Sequence, residues 1–231
     1  MMHGGLGLDH TYFRPWFDQL SDENKLVYYD HRGNGRSEKP ASYDTLTLDL
    51  LVDDAAALLD HLGIDKAVVF GHSYGGFLGQ LFAIKHPARV QALVLANTVP
   101  AFDYQPVPNG TEEQMAAFGA AFTRPMADDA DWRSTWGTLW QMYFKEYDAE
   151  IGAKIDATTH YAGAAWNAGS AALATFNTLN DLGSVNAPTL VISGQHDFIC
   201  PPEHGGKRID SLLGSPTIKC ESQAHRRMSA F

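Results

Sequence analysis

Two textures of apolar spacing alternate along this chain. Short apolar runs at 25–29, 67–70, 90–96, 188–193 and 216–220 read as strands, and the near-continuous run 90–96 is typical of a strand covered on both faces. Between them, apolar positions recur at helical spacing. The clearest case is 47–62, where Leu48, Leu51, Val52, Ala55, Leu58, Leu59 and Leu62 form one stripe and Gly63 stops the helix. Asp49, Asp53, Asp54 and Asp60 fall mostly off that stripe and read as a solvated face. The spacing also predicts helices over 13–20, 74–85 and 206–213, the second ended by His86-Pro87.

From about residue 100 to 186 the alternation stops. Helical patterns rich in Ala and aromatics take over, with Trp132, Trp136, Trp140, Tyr143, Phe144, Tyr147 and Trp166. The reading is an α/β core formed by 1–99 and 187–231, with a helical lid inserted over 100–186. Most of these aromatics should pack the lid on itself. Trp136, Trp140 and Trp166 are the candidates for lining a substrate pocket.

The 231 residues and 45% hydrophobic content suit one domain with a substantial core. A formal net charge of −10 and the lack of a basic stripe argue against nucleic acid and anionic membranes as partners. No apolar run is long enough to span a membrane. Cys200 and Cys220, with no signal peptide in view, suggest reduced thiols in a cytoplasmic protein. The histidines are scattered, no Cys/His cluster has ligand spacing and no nucleotide fingerprint is present, so no metal or cofactor is expected. The expected partner is a small-molecule substrate, and self-association into a homo-oligomer stays open.

The chemistry concentrates at Val68-Val69-Phe70-Gly71-His72-Ser73-Tyr74-Gly75-Gly76. An apolar strand runs into Gly-x-Ser-x-Gly and then a helix, which is the context of a nucleophile elbow. Ser73 would sit at the tip, beside a helix N-terminus that favours negative charge. A serine needs a base, and the base needs an orienting carboxylate. Asp197 follows the strand 188–193 and His225 follows 216–220, so parallel strands would bring both to the edge that carries Ser73. His196 neighbours Asp197 but should point elsewhere, His72 should pack, and His86, His160 and His204 lack a post-strand position. Asn97, at the end of the run 90–96, cannot serve as an anionic orienter, which favours Asp197. The oxyanion hole would be the backbone N–H groups of Tyr74 and of Gly5 in the loop His3-Gly4-Gly5. His3, Asp30 and Arg32 read as structural residues of the loops beside the elbow.

These motifs, together with Asp30 to Ser37, resemble the α/β-hydrolase superfamily over nearly the whole chain. Within it, His3-Gly4-Gly5-Leu6-Gly7 is similar to the His-Gly-Gly-Pro-Gly of prolyl aminopeptidases, with Leu6 replacing Pro. The resemblance implies a mostly parallel sheet flanked by helices, Ser73 as nucleophile, Asp197 as acid, His225 as base and a helical lid. Prolyl aminopeptidases bind the substrate amine with lid glutamates, one in a Trp-x-x-Trp-Glu-like segment. Here Gly137 follows Trp132-Arg133-Ser134-Thr135-Trp136, which favours related esterases and lactonases. Only Met1 and Met2 stand where a central strand precedes His-Gly-Gly, and only 226–231 follow His225. The N-terminal strands and C-terminal helix of the fold are therefore expected to be missing, unless another chain or a rearranged strand fills the gap.

The resulting expectation is a serine hydrolase cleaving a carboxylic ester, lactone or small amide through an acyl-enzyme. The alternatives are a prolyl aminopeptidase, a non-catalytic small-ligand binding protein of the same fold, and cofactor-free oxygenase or perhydrolase chemistry on the same triad.

Overall fold

The computed structural model describes residues 1–106, 110–214 and 217–222, the last stretch by its backbone alone. Its sheet has four parallel strands in sequential order, β1 (Ala67–His72), β2 (Val90–Ala96), β3 (Thr189–Gly194) and β4 (Thr217–Ser222). Leu93 and Leu95 of β2 are fully buried. Each such leucine contributes roughly 1.5–3 kcal/mol by leaving water.

Helix α1 (Leu48–His61) is capped by Thr47, whose side chain accepts from Leu50 N–H, and it buries Leu48, Leu51, Val52 and Ala55. Past its end, Gly63 takes a φ of +62°, the left-handed conformation in which glycine carries no Cβ penalty. Helix α2 (Tyr74–Lys85) crosses from β1 to β2 and packs on both strands. Helix α7 (Gly206–Leu212) lies between β3 and β4 in sequence and packs on β3.

Two expected elements come out differently. The helix predicted over 13–20 is instead a pair of 3-10 turns, His10–Phe13 and Asp18–Asp22. Pro15 lies between them, and its missing N–H interrupts the hydrogen-bond series a helix would need. The strand predicted over 25–29 is extended chain with a single bridge at Tyr29.

The reason for the second difference lies at Met2. Parallel bridges join Met2 to Tyr29 on one side and to Gly71 on the other. Met2 N–H donates to Phe70 O at 2.8 Å, and Met2 O accepts from His72 N–H at 3.2 Å. The Met1 amine donates to Val27 O at 2.7 Å. Met1 and Met2 thus take the place between 25–29 and β1 where a central strand was expected. With Met2 as the neighbour, one rung of ladder forms beside Tyr29.

Between β2 and β3 the chain forms α3 (Glu112–Thr123), α4 (Asp129–Leu139), α5 (Ala149–Thr158) and α6 (Gly163–Leu173). Its two ends meet at an antiparallel bridge between Ala101 and Asn177. Gln80 of α2, fully buried, holds this neck: its amide donates to Val99 O at 3.0 Å, and its carbonyl accepts from Thr178 Oγ1 at 2.8 Å. No helix among the described residues is long and apolar enough to cross a membrane.

Candidate active site

Ser73 occupies the turn between β1 and α2 with φ 51° and ψ −116°, a conformation costly for a residue with a side chain. The turn is held from several sides. Ser73 N–H donates to Ala96 O at 2.9 Å, and Ser73 O accepts from Gly76 N–H at 2.8 Å and Thr98 Oγ1 at 3.0 Å. A Cβ on Gly71 would fall on Gly75 O, and one on Gly75 would fall on Met2 O. The two glycines of the motif are therefore required by close backbone approach.

The His3-Gly4-Gly5 loop lies directly against this turn. A Cβ on Gly4 would stand 2.7 Å from His72 Nδ1 and 3.0 Å from Ser73 Cβ. Gly5 has φ +72°. Among the described residues no protein acceptor takes the N–H of Gly5 or of Tyr74. Ser73, Gly5 and Tyr74 line one cavity of about 1010 Å³, mostly apolar. Trp136, Trp140 and Trp166 line it too. Trp132 does not: it is fully buried, stacks on Trp166 at 4.1 Å and donates its indole N–H to Gly7 O at 2.9 Å. Gly7 O also accepts from Ala162 N–H at 2.9 Å, so the inserted helices are moored to the glycine loop.

Asp197 lies in the turn after β3. Its Oδ1 accepts from Ile199 N–H at 2.9 Å and Cys200 N–H at 2.8 Å, and its Oδ2 from Asn97 Nδ2 at 3.0 Å. Burial pushes its carboxyl up to about 6 despite these three donors. Cys200 is itself buried, and burial raises its thiol well above the ordinary value. β4 runs beside β3 up to the pair Gly194–Ser222. His225 lies outside the described residues.

The other imidazoles near the core have their own partners. His86 faces Asp53 at 3.2 Å, His160 donates to Asp9 at 2.7 Å, and His204 stacks on Tyr104 at 4.2 Å. His196 is exposed. His3 is fully buried: its Nε2 accepts from His31 N–H at 3.2 Å, and its carbonyl accepts from His31 Nε2 at 3.0 Å. Burial lowers both imidazoles below their usual range, which keeps them neutral. Asp30 accepts from His10 Nδ1 at 2.6 Å and Arg36 N–H at 2.9 Å, while Arg32 forks onto Asp54. Asp30 and Arg32 thus brace the loop 30–37.

Tyr12 is a residue the hydrophobic pattern does not single out. Its hydroxyl accepts from Gly4 N–H at 2.6 Å and lies 2.8 Å from His72 Nδ1. It therefore ties the glycine loop to the residue before Ser73. Burial raises its phenol well above the ordinary value, so it stays an O–H. A tyrosine just before a segment that reads as helix carries no local signal for this bond.

Comparison with known proteins bears on the family and the fold. The chain is 29% identical to the proline iminopeptidase PfmaB of Pestalotiopsis fici, over 88% of this chain and 76% of that protein. It is 38% identical to the putative carbamate hydrolase RutD of a Caulobacter species, over 42% of this chain and 36% of that protein. A hydrolase from Pseudomonas aeruginosa superposes with a TM-score of 0.72 at 24% identity, covering 98% of this chain and 81% of its own. The family model described as alpha/beta hydrolase fold matches residues 1–225, and with that match the chain belongs to the alpha/beta hydrolase fold family.

Proposed function

We propose that this chain is a serine hydrolase acting on a carboxylic ester, lactone or small amide. The observation that carries the reading is Ser73. It stands in a strained turn between β1 and α2 and lines the cavity together with Gly5 and Tyr74, whose N–H groups have no protein acceptors among the described residues. In this mechanism Ser73 Oγ attacks the substrate carbonyl and His225 takes its proton. The oxyanion lies between the Gly5 and Tyr74 N–H groups at the start of α2. Asp197 orients His225 and stabilises its charged form. His225 returns the proton to the leaving group, and water then cleaves the acyl-enzyme with His225 again as base.

Ser73→Ala should lower p-nitrophenyl butyrate turnover by about 1,000-fold or more and abolish labelling by a fluorophosphonate, with the thermal melt retained. Ordinary turnover by this variant would reject the assignment.

The similarity to PfmaB favours a second reading, a prolyl aminopeptidase. Against it stands Gly137, which lines the cavity and has open space where a side chain would begin. Cleavage of a prolyl arylamide at a rate matching the ester would favour the second reading.

A further inference from the structure

Most glycines inside the α-helices are required by close approach. A Cβ on Gly152 of α5 would collide with the Tyr147 hydroxyl, one on Gly169 of α6 with the Leu6 side chain, and one on Gly206 of α7 with Ser193 Oγ. Gly119 of α3 and Gly137 of α4 are different. Among the described residues, a Cβ built on either meets no atom within 4 Å. Neither has a positive φ. No contact and no turn therefore calls for glycine at these two positions.

Glycine inside a helix is costly, because it orders the most backbone freedom and brings no side chain to pack. Both helices are held at their starts instead. Thr111 and Gln114 form a capping box on α3, and Asp128 accepts from Asp131 N–H at 2.8 Å on α4.

What the two glycines share is the cavity of Ser73. Both line it and both are exposed, so they stand where it meets water. Each interrupts a row of larger lining side chains. On α3, Phe118 precedes Gly119 and Phe122 lies one turn beyond. On α4, Arg133 lies one turn before Gly137 and reaches Asp156 of α5 at 2.6 Å, while Trp140 lies one turn after. Phe122 packs on Trp166 at 5.4 Å and Trp136 on Trp140 at 5.8 Å, so aromatic wall surrounds both gaps. The cavity of about 1010 Å³ stands at the upper end of small-molecule sites.

We propose that Gly119 and Gly137 set the size of the apolar group this cavity admits. They keep room for a long apolar arm of the substrate, on its acyl or its alcohol side. The proposal rests on the hydrolase reading of Ser73 and narrows its substrate class to compounds with such an arm, rather than acetyl-sized ones. Each methylene laid against the aromatic wall leaves water, and a side chain at either glycine takes up the room for it.

The test compares p-nitrophenyl octanoate with p-nitrophenyl acetate, and octyl with ethyl acetate. In at least one of the two series the wild-type chain should favour the longer substrate in kcat/KM by about 10-fold or more. Gly119→Leu and Gly137→Leu should each lower that long-to-short ratio by about 10-fold. Ala116→Leu, on an exposed position of α3 that does not line the cavity, should leave the ratio as it is. Gly119→Ala and Gly137→Ala should raise the melting temperature by about 1–3 °C, since alanine suits a helix better and its Cβ enters open space. A wild type without preference for length in either series would overturn the proposal. So would leucine variants that keep the wild-type ratio, a ratio lowered equally by Ala116→Leu, or alanine variants that melt lower. If no ester is turned over and Ser73 is not labelled, the hydrolase reading fails, and size selection is then read by binding. Tryptophan fluorescence would follow titration with hexan-1-ol, octan-1-ol and decan-1-ol, since Trp136, Trp140 and Trp166 line the cavity. Binding that tightens about 10-fold per two methylenes in the wild type and loses this gain in the leucine variants supports the proposal. Affinity independent of chain length overturns it. Should one leucine variant lose its cooperative melt, the wild-type series and the other leucine variant decide.

Discussion

Asn97 donates its side-chain amide to Asp197 Oδ2 at 3.0 Å, across 100 positions of sequence. It stands at the end of β2 with φ 49°, in a backbone region that asparagine tolerates better than most residues. Its amide is one of three donors that favour the ionised carboxylate. Asn97→Ala removes that donor, so the Asp197 carboxyl should rise further. The acid limb of the kcat/KM profile should then move to higher pH by about one unit or less. An unmoved acid limb would separate Asp197 from the titration that governs turnover.

Asp197→Asn should trade activity for stability. The folded-state value near 6 lies above the ordinary 3.8. The folded chain therefore binds more protons between those values, and stability falls as pH rises through them. Above pH 6 the buried charge costs on the order of 3 kcal/mol. The asparagine variant should gain that amount in urea denaturation at pH 8 and little at pH 4. Its ester turnover should fall by about 1,000-fold or more. A variant less stable at pH 8 than the wild type would contradict the sign.

Tyr12→Phe removes the hydroxyl between Gly4 N–H and His72. A buried N–H left without its acceptor costs roughly 1–3 kcal/mol. The larger signature should be kinetic, because the glycine loop loses its tie to the turn of Ser73. A fall in kcat of about 10-fold with KM nearly constant would identify Tyr12 as a positioning residue. A change confined to the melting temperature would limit it to stability.

Acidification should destabilise the fold well before the carboxylates titrate. The Met1 amine is lowered from 8.0 to about 5 by burial, and His3 and His31 are lowered by burial too. All three bind protons on unfolding when the pH lies below their unfolded values, so stability rises with pH between about 5 and 8. Asp197 acts in the opposite sense, but only between 3.8 and about 6. The urea midpoint should thus fall as pH is lowered from 8 to 6. A flat or rising midpoint over that range would refute this balance.

Elements set by local pattern were legible in the sequence. Helix α2 and strand β2 occupy the spans that their apolar spacing predicts, because burial alone decides both. The run 25–29 shows the limit: its residues suit a strand, but a ladder depends on the neighbour, and here the neighbour is Met2. The post-strand placement of Ser73 and Asp197 could be read from chain order, since parallel strands end on one edge. The Tyr12 hydroxyl bond and the Arg133–Asp156 pair could not, because each joins surfaces whose approach no local periodicity encodes. Among the tryptophans, Trp132 is sealed against Gly7, whereas Trp136, Trp140 and Trp166 line the cavity.

Gly7 carries a consequence for how the molecule works as a machine. Its carbonyl holds both the Trp132 indole and the Ala162 amide, and it follows Gly5 by two residues. The inserted helices and the glycine loop, whose Gly5 lines the cavity, therefore share one anchor, so a substitution that loosened α4 or α6 there would be felt at the cavity wall as well.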